Sequence, residues 1–150
     1  MPHILWDWNG TLLDDVGPCV RAINAILRRN RLPRLTIQRH REIFCFPVRR
    51  YYERLGFHLT ESEWVRIAAE FHDRYRPLAA DAPLRPGVLA ALRRMRRRGW
   101  TLSILSASEI TLLEHMVRAR RIRGFFAHIA GLRDYYARSK IDLGRELLAA

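Results

Sequence analysis

His3-Ile4-Leu5-Trp6-Asp7-Trp8-Asn9-Gly10-Thr11-Leu12-Leu13-Asp14-Asp15 is the stretch on which the fold turns. A short apolar run that closes on an acid and is broken at once by Asn-Gly reads as a buried strand entering a tight turn. From residue 15 to 82 the chain reads as all helical. Val16, Val20, Ile23, Ile26 and Leu27 form a helical stripe ended by Leu32-Pro33. Two short helices, 36–46 and 48–55, flank Pro47. Thr60-Glu61-Ser62-Glu63 is a capping box that opens a helix to about Tyr75, and 77–86 reads as a return loop.

The pattern then changes. Pro86-Gly87 opens a helix through Arg98, with the proline in the first turn, and Gly99 ends it. Trp100 to Leu105 reads as a strand, Glu109 to about Arg121 as a helix, Phe125 to Ala130 as a strand and Lys140 to Ala150 as a helix. Strands separated by helices of this length imply βαβ units and a parallel sheet. The expected organisation is an α/β core of residues 1–14 and 83–150 carrying an α-helical insert, 15–82.

Composition narrows the function classes. The chain has 150 residues, of which 49% are hydrophobic and 28% charged, as in an ordinary globular domain. No apolar run approaches the ~18 residues that cross a bilayer. The start of the chain lacks a basic segment followed by an apolar one, so no signal peptide is expected. Cys19 and Cys45 stand in unrelated contexts, which suggests reduced thiols and a cytoplasmic location. The net charge of +12 comes from 27 cations against 15 acids, and Lys140 is the single lysine among 26 arginines. Such a balance raises a nucleic-acid partner. No basic loop interleaved with aromatics is present for base stacking, so an arginine-biased, solvated surface is the expectation.

Ligands of an open parallel sheet bind beyond the carboxyl ends of its strands. Asp7, Ser106 and Lys140 fall there. A carboxylate can attack phosphorus, while a hydroxyl and an ammonium hold the charged oxygens. Ser106-Ala107-Ser108-Glu109 also reads as a capping box for the next helix. Lys140 also fits a surface lysine next to a cap at Ser139. A sequence that otherwise uses arginine throughout, yet keeps one lysine here, points to a compact charge beside a phosphate.

The segment Ile4 to Asp15 resembles motif I of the haloacid dehalogenase (HAD) superfamily. Leu102-Ser103-Ile104-Leu105-Ser106-Ala107 is similar to its motif II, and Lys140 stands where motif III places a lysine. The insert resembles the small all-α cap of phosphoglycolate-phosphatase-like members. The resemblance implies a Rossmann-like, three-layer α/β/α core. It implies a Mg²⁺-dependent phosphatase that acts on a small phosphorylated metabolite through an aspartyl-phosphate. Asp7 would be nucleophile and Mg²⁺ ligand, and Asn9 would give the metal its backbone carbonyl. Thr11 would steady the loop, and Ser106 with the amide of Ala107 would bind phosphate. Lys140 would balance charge between Asp7 and the phosphoryl group.

Two features depart from the family pattern. Most phosphatases of the superfamily carry an Asp two residues after the nucleophile as general acid and base; here that position is Asn9, and an amide cannot do this work near neutral pH. The dehalogenase and phosphonate-hydrolase branches also lack that Asp; the second needs a cap lysine, and 15–82 contains none. The family's motif IV, an acidic pair after one more strand, would fall beyond Ala150. The expectation is thus a shortened chain with an incomplete metal site. Its first strand would lie at a sheet edge, open to a partner chain. The alternative function is a degraded HAD-like domain that binds a phosphate ligand or a protein without turnover.

Overall fold

The computed structural model describes residues 2–133 and 140–149, with side chains as far as Arg145. Two compact units emerge: residues 2–14, 83–133 and 140–149 in one, and 15–82 in the other.

The first unit is a three-stranded parallel sheet with helices packed on it. Strands β1 (His3–Trp6), β2 (Thr101–Glu109) and β3 (His128–Leu132) lie in the order β1-β2-β3. The fold class is α/β, as expected. Leu5 pairs with Ser103 and Trp6 with Ile104, while Leu105 pairs with Ala130. Among the described residues β1 pairs only with β2, so its other side is an edge. Leu102 and Ile104 on β2 are fully buried, as are Trp8, Leu92, Leu113 and Val117 of the same unit.

Several boundaries differ from expectation. β2 runs on to Glu109, because its register slips after Leu105: four steps on β2 face two on β3, from Ala130 to Leu132. β3 begins at His128, because Arg123–Phe125 form a 3₁₀ turn that buries the following Phe126. Pro86 does not enter the first turn of its helix, α5 (Val88–Arg97), whose N-cap is Gly87. The backbone there is committed elsewhere, since the Arg85 N–H donates to Leu12 O at 2.9 Å and Val88 N–H to Arg85 O at 3.2 Å. Helix α6 (Ile110–Ala119) comes directly after β2, and α7 (Ile141–Ala149) packs on β3. The suggested cap Ser139 lies outside the described residues.

Gly131 marks a close approach of backbone to backbone. A Cβ there would sit 2.8 Å from Ser108 O and 3.0 Å from Ile110 Cα. Neither atom is a flexible side-chain end, so Gly131→Ala should push the β2–α6 junction away from β3. The expected cost is roughly 1–3 kcal/mol, the usual range for overpacking. Urea unfolding should show it as a lower midpoint; an unchanged midpoint would mean that the junction yields freely.

The second unit is helical. Helices α1 (Val16–Arg29), α2 (Ile37–Ile43), α3 (Val48–Arg54) and α4 (Glu61–Ala80) enclose Ile23, Ile26, Leu27, Tyr51, Tyr52, Trp64 and Ile67. The capping box of α4 forms as expected: Thr60 accepts from the Glu63 N–H, and the Glu63 carboxylate accepts from the Thr60 N–H. That contact also holds the Glu63 carboxyl below its usual range. The helix does not stop near Tyr75. It continues through Pro77 to Ala80, because Tyr75 and Ala79 on either side are buried at 4% and 0% exposure. Their packing outweighs the hydrogen bond a helix-interior proline removes. The unit also contains paired buried polar groups: Tyr75 Oη donates to Asp15 Oδ2 at 2.5 Å, and His40 Nδ1 lies 2.7 Å from Tyr51 Oη. Burial keeps the His40 imidazole below its usual range and the Tyr51 phenol above its own. Both cysteines are free. No helix among the described residues is long and apolar enough to cross a membrane.

Candidate active site

β1 ends at Trp6, so Asp7 is the first residue past the carboxyl end of the edge strand. Residues 8–13 then form a closed loop. Trp8 is fully buried, and its carbonyl accepts the N–H groups of Thr11, Leu12 and Leu13 at 3.2, 3.0 and 3.0 Å. The turn needs a left-handed residue at its second position. Gly10 supplies it with φ 70°, a conformation that costs an L side chain energy but glycine almost nothing. Residues 83–85 clamp the loop from outside: Asp14 N–H donates to Pro83 O at 2.8 Å, and Arg85 Nη1 to Gly10 O at 3.1 Å. The result is a rigid platform for the Asp7 carboxylate.

Two groups converge on that carboxylate. Lys140 Nζ donates to Asp7 Oδ1 at 2.5 Å and to Leu105 O, at the end of the regular part of β2, at 3.4 Å. Thr11 Oγ1 donates to Asp7 Oδ2 at 3.2 Å. The pair is half-open to solvent, with side-chain exposures of 32% for Lys140 and 42% for Asp7. Exposed ion pairs contribute only about 0–1 kcal/mol to stability, so the pairing matters for chemistry more than for folding.

The second cluster surrounds Asn9. Its Oδ1 accepts from Ser108 Oγ at 2.6 Å and from Ser106 Oγ at 3.3 Å. Ser106 Oγ in turn accepts from the Ser108 N–H at 3.0 Å. Ala107 is half-buried between the two serines, within the stretch where the β2–β3 register slips.

Of the residues singled out from the sequence, Asp7, Thr11 and Lys140 thus meet at one carboxylate, and Asn9 meets Ser106 at one amide. The capping alternative for Ser106 does not hold. Glu109 is the N-cap of α6 and accepts from the N–H groups of Thr111 and Leu112 at 2.7 and 3.0 Å. The helix starts too late for Ser106 to reach its first turn. Ser108 was missed by sequence reasoning. Period-two alternation along a strand would have put it on the same side as Ser106.

The donor set suits a hard cation only in part. Asp7 and a backbone carbonyl at Asn9 are oxygen ligands of the type Mg²⁺ takes, with water and substrate phosphate completing its shell. No group of three or more His, Cys, Asp or Glu side chains able to hold a metal occurs among the described residues. The described residues thus offer part of the oxygen donor set that such a cation takes, and no closed site for it.

A family model for haloacid dehalogenase-like hydrolases matches residues 1–143. No curated protein sequence gives a match. Among solved structures, a haloacid dehalogenase-like hydrolase from Bacteroides fragilis superposes with a TM-score of 0.84 at 17% identity, covering 99% of this chain and 73% of that one. A predicted phosphatase from Clostridium acetobutylicum gives 0.82 at 16% identity, with 99% and 69% covered. A predicted phosphoglycolate phosphatase from Haemophilus somnus gives 0.71 at 19% identity, with 89% and 63% covered. At these identities the likeness is one of fold. The chain spans between 63% and 73% of the length of these three structures.

Proposed function

The chain belongs to the haloacid dehalogenase-like hydrolase family, and from that premise we propose that it is a phosphatase acting on a small phosphomonoester through an aspartyl-phosphate. The observation that carries the reading is the Asp7 carboxylate at a strand end, held by Lys140 on one oxygen and Thr11 on the other.

In this reading an Asp7 oxygen attacks phosphorus, the new O–P bond forms, and the ester O–P bond breaks. Water then displaces the phosphoryl group from Asp7, releasing inorganic phosphate and restoring the carboxylate. The Lys140 ammonium offsets the repulsion between two anions that must approach each other. Thr11 keeps the carboxylate in one orientation. Ser106 and the Ala107 amide would hold the phosphoryl oxygens, with Ser108 steadying them. Asp7 and the Asn9 carbonyl would hold Mg²⁺, which supplies further neutralisation of phosphoryl charge when bound. Residues 15–82 would act as the cap that selects the substrate, and a partner strand would cover the open edge of β1.

Asn9 cannot protonate a leaving group, a loss typically worth roughly 10²–10⁴ in rate. Slow turnover and a preference for good leaving groups are the consequence. The second reading, a phosphate-binding domain without turnover, rests on the same Asn9, whose amide oxygen is fully engaged by two serine hydroxyls. p-Nitrophenyl phosphate with Mg²⁺ separates the two. Slow release of nitrophenolate that stops on adding a chelator is expected. A rate equal to the buffer blank, with inorganic phosphate still bound, would favour the binding domain.

A further inference from the structure

The helical unit contains a second anion-seeking feature that shares no residue with the Asp7 site. Arg21, Asn24 and Arg28 recur at i, i+3 and i+7 along α1, so they occupy one helix face, apart from the buried stripe. After Asn30 the chain turns back along that face. The Leu32 N–H donates to Leu27 O at 2.9 Å and the Arg31 N–H to Arg28 O at 3.2 Å, the hydrogen bonds of a left-handed helix ending. The return is pinned by a two-way bond, Asn24 Nδ2 to Leu35 O at 2.9 Å and Leu35 N–H to Asn24 Oδ1 at 2.8 Å. An open cavity of about 690 Å³ results, lined by Arg21, Asn24, Arg28, Arg31, Leu32 and Arg34, with all four arginines exposed to solvent.

Its charge is uncompensated. None of the four arginines has an ion-pair partner among the described residues, and no acid lines the cavity. The adjacent surface shows what compensation looks like in this same unit. Arg29, next to Arg28 on α1, lies 3.5 Å from Glu70, and the cavity beside them mixes Arg29, Arg66 and Arg74 with Glu70 and Asp73. Arg31 lines the cavity from the helix ending, where it takes φ 56°, a left-handed position that glycine also fills easily and that Arg121 takes, with φ 55°, at the end of α6.

We infer that this cavity binds a compact ligand carrying two or more phosphate groups. A guanidinium pairs bidentately with phosphate oxygens, and the charge of four exceeds the roughly two negative charges of a single phosphate. The volume suits a small molecule. No aromatic side chain lines the cavity to stack a nucleic-acid base, so the recognition is of phosphates, not of bases.

Inorganic tripolyphosphate is the probe, titrated by calorimetry at physiological salt into the Asp7→Asn protein, so that hydrolysis does not intrude. Saturable binding is expected, with orthophosphate at least about tenfold weaker. Arg28→Ala combined with Arg31→Gly should weaken tripolyphosphate binding at least about tenfold. The glycine suits the backbone, so the thermal midpoint should hold or rise while binding falls. Arg93→Ala with Arg97→Ala removes the same charge from α5 and should change binding less than about twofold. Equal losses in the two double variants would show diffuse attraction to a basic surface and overturn the site. So would the absence of tripolyphosphate binding. An RNA oligonucleotide that binds and is not displaced by tripolyphosphate would replace the proposal with a nucleic-acid surface.

Discussion

Asp7→Asn is expected to reduce phosphatase turnover to the blank, a loss of roughly 10⁴-fold or more, as for removal of a covalent nucleophile elsewhere. The substitution keeps the shape of the side chain. It removes the negative charge and replaces a nucleophilic carboxylate oxygen with a weakly nucleophilic amide. Thr11 can still donate to the amide oxygen, and the loop is held by backbone bonds to the Trp8 carbonyl. The ion pair with Lys140 is lost, but both partners are partly exposed, so stability should change by only about 1 kcal/mol or less. The expected signature is therefore a folded, inactive protein. It should bind inorganic phosphate as well as or better than the parent, because a like charge has been taken from beside the anion. The measurement is acid-quenched phosphoprotein, with hydroxylamine lability as the mark of an acyl phosphate. Turnover equal to the parent's would mean that Asp7 is not the nucleophile, and the aspartyl-phosphate reading would fall with it.

Much of this arrangement is legible in thirteen residues. An apolar run that closes on Asp7 ahead of Asn9-Gly10 announces both the strand and the turn that presents its acid. Lys140 stands out chemically, as the one lysine among arginines, and the structure brings its ammonium to Asp7 across 133 residues of sequence. The less legible parts have physical causes. Phe125 and Phe126 look like strand residues because an apolar pair serves a strand and a 3₁₀ turn equally well; only tertiary packing puts Phe126 in the core ahead of β3. Pro77 reads as a terminator because its cost is local, whereas the burial of Tyr75 and Ala79 that offsets it depends on the folded unit. Ser108 is hidden for a third reason. Alternation places it on the side of Ser106 only if the strand continues past Leu105, and that continuation comes with a register slip against β3 that the local sequence does not announce.

Asn9→Asp should raise turnover by roughly 10²–10⁴-fold, the usual worth of a positioned general acid or base. The change is isosteric, and the neighbourhood is prepared for it. Both hydroxyls at Asn9 Oδ1, from Ser108 at 2.6 Å and Ser106 at 3.3 Å, act as donors, so a carboxylate oxygen can accept both in place of the amide oxygen. Donors to a carboxylate favour its ionised form, the form that activates water, whereas the Asp7 carboxylate two residues away and the incoming phosphate favour the protonated form that the leaving group needs. Lys140, already on Asp7, offsets part of the remaining repulsion. The gain should depend on the leaving group. p-Nitrophenolate departs without a proton, so its release should speed up least, whereas alkyl phosphates, whose alkoxides need protonation, should gain most. A plot of log kcat against leaving-group pKa should therefore be steep for the parent and flatter for the variant. If the slope and the rates do not move while the protein stays folded, the side chain at this position does not reach the ester oxygen. The slow-phosphatase reading would then give way to a domain that binds phosphate without turning it over.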